Sequence, residues 1–207
     1  IRICVKRKMV GDELVEEYTF RNQGEDEVVL VDIGVYTPFN DNYPGSRTCI
    51  NARTNTHIWE GENAAYINAL RMGGYAPHLG LVLTKGAVKS YEIWERGRDK
   101  GNSHTRGIIT LNLPDLQLMP GKEYSISWCL FAHKGIDDFR QKLLEKGSVF
   151  VSCNKYVFEK GEKACIELAA ENSIQKCVLK KHLDDVQMFE MSASELKDLD
   201  SLTEIHE

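Results

Sequence analysis

The 207-residue sequence lacks the marks of several large protein classes. Its 26 lysines and arginines are scattered and its formal net charge is −5, whereas nucleic-acid binding needs a concentrated basic surface. Its apolar runs are much shorter than the roughly 20 residues with which a helix spans a bilayer. No nucleophile elbow, phosphate-binding loop, HExxH motif or kinase signature is present. These absences predict no nucleic-acid partner, no membrane span and no cofactor.

Paired cysteines are also lacking. None of the six cysteines belongs to a CxxC pair or has the spacing of zinc ligands. We therefore predict no metal site, and free thiols buried as small apolar groups. A disulfide would be possible in an exported protein, but the sequence assigns no pair. The cysteines are Cys4, Cys49, Cys129, Cys153, Cys165 and Cys177.

The chain has neither an initiator methionine nor a signal peptide. It begins with the alternating stretch IRICVKRK, as though inside a strand. Excision from a longer protein, or export followed by maturation, would explain such a start, and we favour excision.

Apolar and polar residues alternate along most of the chain up to about residue 133, as in β-strands. The stretch ELVEEYTFRN is one such strand, and we predict that it forms a hairpin with the longer, buried strand EVVLVDIGVYTPF. AAYINALRM is predicted as a strand because its neighbours are strand-like. NDNYPGS is predicted as a loop. Long antiparallel strands joined by short turns predict a large β-sandwich.

The pattern changes after residue 135. GIDDFRQKLLEKG predicts a short amphipathic helix with Asp137 as its N-cap and Gly147 as its C-terminal stop. The strands and turns beyond it are spaced as in a small Ig-like unit, but there are too few strands for a complete one. We therefore predict an all-β chain. A large antiparallel β-sandwich with its short linker helix occupies residues 1–147. A smaller Ig-like β unit, complete or truncated, occupies residues 148–207.

The stretch NTHIWEGENAAY places a base, two aromatic rings and a carboxylate close together. Aromatic faces stack on the C–H patches of sugars, and planar polar side chains bind sugar hydroxyl groups. We therefore predict a polar, aromatic surface that contacts carbohydrate. The candidate residues are His57, Trp59, Glu60, Tyr66, Tyr75, His78 and His104.

Two other interpretations stay open. Aromatic residues on strands are often core or half-buried, which we prefer for Trp94 and Trp128. The same histidines, tyrosines and glutamates could carry out acid–base chemistry, but no diagnostic spacing singles out a catalytic residue. In a regular strand His57 and Trp59 share a face and Glu60 lies on the other. We expect Trp59 to be partly exposed, because charged and small residues follow it.

Longer stretches resemble a known family. They are THIWEGENAAYINALRMGGYAPHLGLVLTKG, YEIWER, LNLPDLQLMPGKEYSISWCLFAHKG and DDFRQKL. Together they are similar to the galactose-mutarotase-like β-sandwich (supersandwich) that precedes an (α/α) toroid in bacterial polysaccharide-degrading enzymes. These enzymes are multidomain glycoside hydrolases and polysaccharide lyases. The resemblance covers about residues 1–147, and the remainder is similar to Ig-like accessory modules. No stretch reads as the repeated long helices of a toroid.

The resemblance implies a carbohydrate context and assigns no catalytic residue. It implies a non-catalytic region that supports the catalytic domain of the same full-length protein or contacts glycan. The expected partners are that domain and a polysaccharide or oligosaccharide, and the expected location is the periplasm or the cell exterior. Two alternatives are an autonomous enzyme (an aldose epimerase or polysaccharide lyase) and an adhesive or scaffold β-protein without a sugar ligand.

Overall fold

The chain is mostly β-strand with two short helices among the described residues, which confirms the predicted all-β class. It divides into two compact units, Ile1–Lys142 and Leu143–Glu207. The computed structural model describes residues 1–40, 45–59, 61–93, 108–155, 157, 159, 162–163, 165–171, 176–180, 188–192 and 203–204.

The first unit is built from antiparallel strands. They are β1 (Arg2–Val10), β2 (Glu13–Arg21), β3 (Val28–Leu30), β4 (Gly34–Asn40), β5 (Thr54–Trp59), β6 (Tyr66–Arg71), β7 (His78–Lys85), β8 (Ser90–Ile93), β9 (Ile108–Asn112), β10 (Leu116–Leu118) and β11 (Glu123–His133). Helix α1 (Ser46–Ala52) lies between β4 and β5, and helix α2 (Ile136–Glu145) follows β11 across the division between the units.

One large sheet organises the first unit. Its six strands are ordered β1-β2-β11-β7-β6-β5, so β1 and β5 form its edges. Two smaller sheets, β4-β9-β8 and β10-β3, contribute the facing side chains. Alternate residues of the central strands point into the core between the sheets, because successive side chains of a strand lie on opposite faces. Core residues from both sides include Ile67, Leu81, Ile126, Trp128, Val35, Ile109, Leu111 and Leu118. The predicted core position of Trp128 is confirmed, since this side chain is fully buried.

The opposite face of the large sheet, here called the helix face, is partly covered by α2. Phe139 of α2 stacks on Phe131 of β11 at 5.8 Å between ring centroids and meets Tyr66 of β6 edge-on at 5.6 Å. Gly80 of β7 leaves room for this stack, because a Cβ there would lie 2.6 Å from Cζ of Phe131 and 2.8 Å from Cε2 of Phe139. The helix face is therefore buried over the middle of the sheet.

The second unit is described by five strands, β12 (Phe150–Cys153), β13 (Cys165–Ala169), β14 (Lys176–Lys180), β15 (Met188–Ser192) and β16 (Thr203–Glu204). They pair as a three-stranded sheet, β12-β13-β16, and a hairpin, β14-β15. Gly147 ends α2 with a positive φ of 74°, as predicted for its C-terminal stop.

Three local predictions are wrong. β2 does not pair with the following strand but lies between β1 and β11. That following segment is split into β3 and β4, and Asp32, with φ of 54°, lies between them. Residues 41–44 of the predicted loop NDNYPGS lie outside the described residues, and its last residue, Ser46, is the first residue of α1. Asp137 lies within the first turn of α2, which begins at Ile136, and is therefore not the N-cap; Asp138 of the same turn accepts a hydrogen bond from the backbone N–H of Lys134 at 2.8 Å.

Five cysteines have described side chains, and all five are free thiols. Cys49 and Cys129 are buried, as predicted, whereas Cys4, Cys153 and Cys165 are half-buried. In the described part of the chain, no helix has both the length and the apolar character needed to cross a membrane.

Candidate functional site

Four of the predicted site residues lie on the helix face of the large sheet. His57 and Trp59 belong to β5, Tyr66 is the cross-strand partner of Trp59 on β6, and His78 belongs to β7. Cross-strand partners project from the same face, so the antiparallel register aligns these side chains across three neighbouring strands. The structure therefore brings together residues that lie up to 21 positions apart in sequence.

The outer row of this group is exposed. Along β5, Asn55, His57 and Trp59 are exposed, while Thr56 and Ile58 between them are half-buried. Trp59 is 39% exposed, which confirms its predicted partial exposure, and His57 shares its face as predicted. An aromatic ring, an imidazole and an amide thus form a polar, aromatic row at the edge of the sheet, here called the β5 row.

The turn after β5 holds the indole of Trp59. A Cβ at Gly61 would collide with Nε1 of Trp59 and lie 3.1 Å from Cε2, so the backbone at Gly61 lies directly against the ring. The turn is fixed by a hydrogen bond from the N–H of Ala64 to the carbonyl of Gly61 at 2.8 Å and by one from Val88 to the carbonyl of Glu62 at 2.9 Å. Glycine at position 61 therefore allows the indole to rest on an ordered turn.

The inner members of the group are buried and do not belong to the exposed surface. Tyr66 is 6% exposed because Phe139 packs against its ring. His78 is also 6% exposed and faces His133 of β11, its cross-strand partner, at 5.3 Å between ring centroids. Placing Tyr66 and His78 on a carbohydrate-contacting surface is therefore not supported, since α2 and the neighbouring rings cover this part of the sheet.

The two buried histidines have defined hydrogen bonds. Nδ1 of His78 accepts from the backbone N–H of Arg71 at 3.1 Å. Nδ1 of His133 donates to the carbonyl of Gly135 at 3.0 Å. Burial lowers the pKa of His133, and the nearby His78 acts in the same direction. These histidines are consistent with a structural role beneath α2.

Tyr75 lies apart from the β5 row. It is 48% exposed and belongs to the turn between β6 and β7, beyond Arg71. The pairing of Thr54 with Arg71 places this turn at the start of β5, whereas Trp59 is at its end, roughly 17 Å along the strand. Glu60 and His104, as well as Trp94, lie outside the described residues.

A second polar cluster, which the sequence analysis missed, lies on the core face of the large sheet near β1. Glu16 accepts hydrogen bonds from Nε of Arg7 and, at 2.9 Å, from Nε1 of Trp128. Tyr18 packs on Trp128 at 5.2 Å, and its pKa is raised by burial and by the charge of Glu16. These residues are cross-strand neighbours on β1, β2 and β11, a relation that only the strand order reveals.

Among the described residues, no group of three or more histidine, cysteine, aspartate or glutamate side chains is arranged to hold a metal ion. The described geometry offers the exposed β5 row, a buried histidine pair and a partly buried cluster around Glu16.

Comparison with solved structures gives a match over most of the chain. With a TM-score of 0.74 and 56% sequence identity, 92% of this chain aligns with "Polysaccharide Lyase BACCELL_00875". The alignment covers 30% of that longer chain. This chain is thus similar to part of a polysaccharide lyase. No protein-family model and no curated protein matches.

Proposed function

We propose that this chain is a non-catalytic, glycan-contacting region of a larger polysaccharide-degrading enzyme. The observation that carries the proposal is its similarity, over most of its length, to less than a third of a polysaccharide lyase chain. In this proposal residues 1–147 form a galactose-mutarotase-like β-sandwich, and residues 148–207 form an Ig-like accessory unit. The enzyme acts in the periplasm or outside the cell, where polysaccharides are encountered.

The β5 row supports glycan contact. β5 is an edge strand, so a long polymer can approach Trp59 and His57 from the side. The indole of Trp59 offers an apolar surface to a sugar ring, and Asn55 and His57 offer planar polar groups for its hydroxyls. The ordered turn at Gly61 limits the conformational freedom that Trp59 loses on binding, which favours affinity.

The same row supports a non-catalytic role. Glycoside hydrolysis uses two carboxylates on either side of the bond, and proton abstraction needs a base beside a group that neutralises charge. In its described residues the β5 row supplies a single acid–base group, His57. His78, the other described histidine among the candidates, is buried, and its Nδ1 already accepts a backbone hydrogen bond.

Replacing Trp59 tests the proposal. In binding titrations with a panel of polysaccharides, Trp59→Ala is expected to weaken binding by about 1–3 kcal/mol, by analogy with base–aromatic stacking. Tyr91→Ala is a matched control, because Tyr91 is 42% exposed on β8, a strand of a different sheet. Unchanged affinity of Trp59→Ala would contradict glycan contact through the β5 row. Unfolding of Trp59→Ala, with Tyr91→Ala folded, would show that Trp59 belongs to the core.

A further inference from the structure

Tyr75 is exposed and yet fixed on several sides. The guanidinium carbon of Arg71 lies 4.9 Å from its ring centroid. Its hydroxyl donates to Oδ1 of Asn51 at 3.3 Å. A Cβ at Gly73 would lie 2.6 Å from Cε1 of Tyr75 and 2.8 Å from the carbonyl oxygen of Ile50, so the ring edge rests on a backbone with no side chain. An exposed ring that is already immobilised loses little entropy when a ligand binds it.

Asn51 of α1 connects Tyr75 to its cationic neighbour. Its side-chain amide donates to the carbonyl of Arg47 at 2.9 Å, which orients Oδ1 towards the tyrosine hydroxyl. Its backbone carbonyl accepts from Nη2 of Arg71 at 3.4 Å. One residue of α1 thus holds both the ring of Tyr75 and the guanidinium of Arg71, although they belong to a separate hairpin turn and strand.

Positive charge collects at this end of β6. The backbone carbonyl of Arg53 accepts from the N–H of Met72 at 3.0 Å, so Arg53 lies beside Arg71 across the β5–β6 pair. Within the part of the chain that the structure describes, no carboxylate forms an ion pair with Arg47, Arg53 or Arg71. Nε of Arg53 is buried without a hydrogen-bond partner. A guanidinium that lacks a carboxylate partner suits an incoming carboxylate or sulfate, which it can bind through two parallel N–H donors.

We propose that Tyr75, Arg71 and Asn51, with Arg53 beside them, form a binding site for an anionic sugar. The sugar ring contacts Tyr75, and its carboxylate or sulfate accepts hydrogen bonds from the guanidinium of Arg71. This inference rests on the proposed function, because it takes the ligand to be a glycan. This site is separate from the β5 row and has its own charge preference. The β5 row lies on the same face of the sheet as Tyr66, whereas Arg71 lies on the opposite face of β6.

The charge preference can be measured with three probes of similar size. These are trigalacturonate, its neutral methyl ester, and a sulfated oligosaccharide without carboxylates. The wild-type chain is expected to bind an anionic probe at least about 10-fold more tightly than the neutral ester, the range of one charge-assisted hydrogen bond. Comparison of the two anionic probes separates carboxylate from sulfate. Equal affinity for all three probes would overturn the proposal.

Variants assign the preference to this site. Arg71→Gln is expected to lose about 10-fold in affinity for the anionic probe and little for the ester, while Arg71→Lys retains part of it. Arg21→Gln, an exposed arginine on β2, is the matched control and is expected to bind as wild type. Tyr75→Phe, which keeps the ring and loses the bond to Asn51, is expected to bind more tightly than Tyr75→Ala. Circular dichroism confirms that each variant is folded.

The outcomes separate this site from the β5 row. If Trp59→Ala weakens binding and Arg71→Gln binds as wild type, the anionic site is wrong and the proposed function stands. If only Arg71→Gln weakens binding, the anionic site stands and the role of the β5 row is wrong. A chain that binds none of the saccharides, neutral or anionic, would overturn both.

Discussion

Replacing Phe139 with alanine tests whether α2 is packed on the large sheet. The side chain is fully buried and contacts three rings, those of Phe131, Tyr66 and His133, with centroids 5.8, 5.6 and 5.2 Å away. Removing a buried phenylalanine costs about 3–5 kcal/mol, which includes the cavity left behind. The higher helix propensity of alanine offsets about 0.5 kcal/mol of this cost. The expected net loss in the free energy of unfolding is therefore about 3–4 kcal/mol.

Urea unfolding of the purified chain, followed by tryptophan fluorescence, measures this loss. Trp128 is a suitable reporter because it is buried in the core on the other face of the same sheet. Ile136→Ala is the control, since Ile136 belongs to the same helix and is 50% exposed, and its expected cost is under about 1 kcal/mol. A loss of under about 1 kcal/mol for Phe139→Ala would refute the packing of α2 on the helix face, and with it the reason for the burial of Tyr66 and His78.

Three further expectations concern the polar clusters and the β5 row. Glu16→Leu leaves the buried N–H of Trp128 without an acceptor and should cost about 1–3 kcal/mol in urea unfolding, whereas Glu17→Gln, whose carboxylate is more exposed, should cost about 1 kcal/mol or less. Because burial lowers the pKa of His133 below its unfolded value of about 6.5, the folded chain binds fewer protons. The free energy of unfolding is therefore at its full value above about pH 6.5 and decreases as the pH falls towards the folded pKa of His133. The urea midpoint should be lower at about pH 5.5 than at about pH 7.5, and this difference should be smaller in His133→Asn. Gly61→Ala should displace the indole of Trp59 and weaken glycan binding in titrations, while Gly45→Ala, where a Cβ meets no atom within 4 Å, should bind as wild type.

The β-class and many individual strands follow from local patterns. AAYINALRM forms β6 as predicted from the strand-like stretches on either side of it, which form β5 and β7. The partial exposure of Trp59 also follows locally, from the polar and glycine residues after it. These features depend on neighbours a few residues away, which the sequence shows directly.

Other features depend on contacts between distant residues. Burial of Tyr66 requires Phe139, 73 positions later in the sequence, and nothing near Tyr66 indicates this contact. The predicted hairpin between β2 and the following strand is wrong, because β2 pairs with β11 instead. The paired residues are about 110 positions apart in sequence, as the hydrogen bond from Trp128 to Glu16 shows. Helix α1 has seven residues, no side-chain cap and no acidic residue in its first turn, so it carries none of the signals that mark a helix start.

In the proposed function this chain contacts glycan without cleaving it. The most direct measurement incubates the purified chain with a panel of acidic and neutral polysaccharides and records binding, new reducing ends and unsaturated products in the same samples. The expected result is binding to at least one polysaccharide with no new reducing ends and no unsaturated products. Turnover by this chain alone would contradict it, and an absence of saccharide affinity together with a specific protein partner would favour an adhesive or scaffold protein.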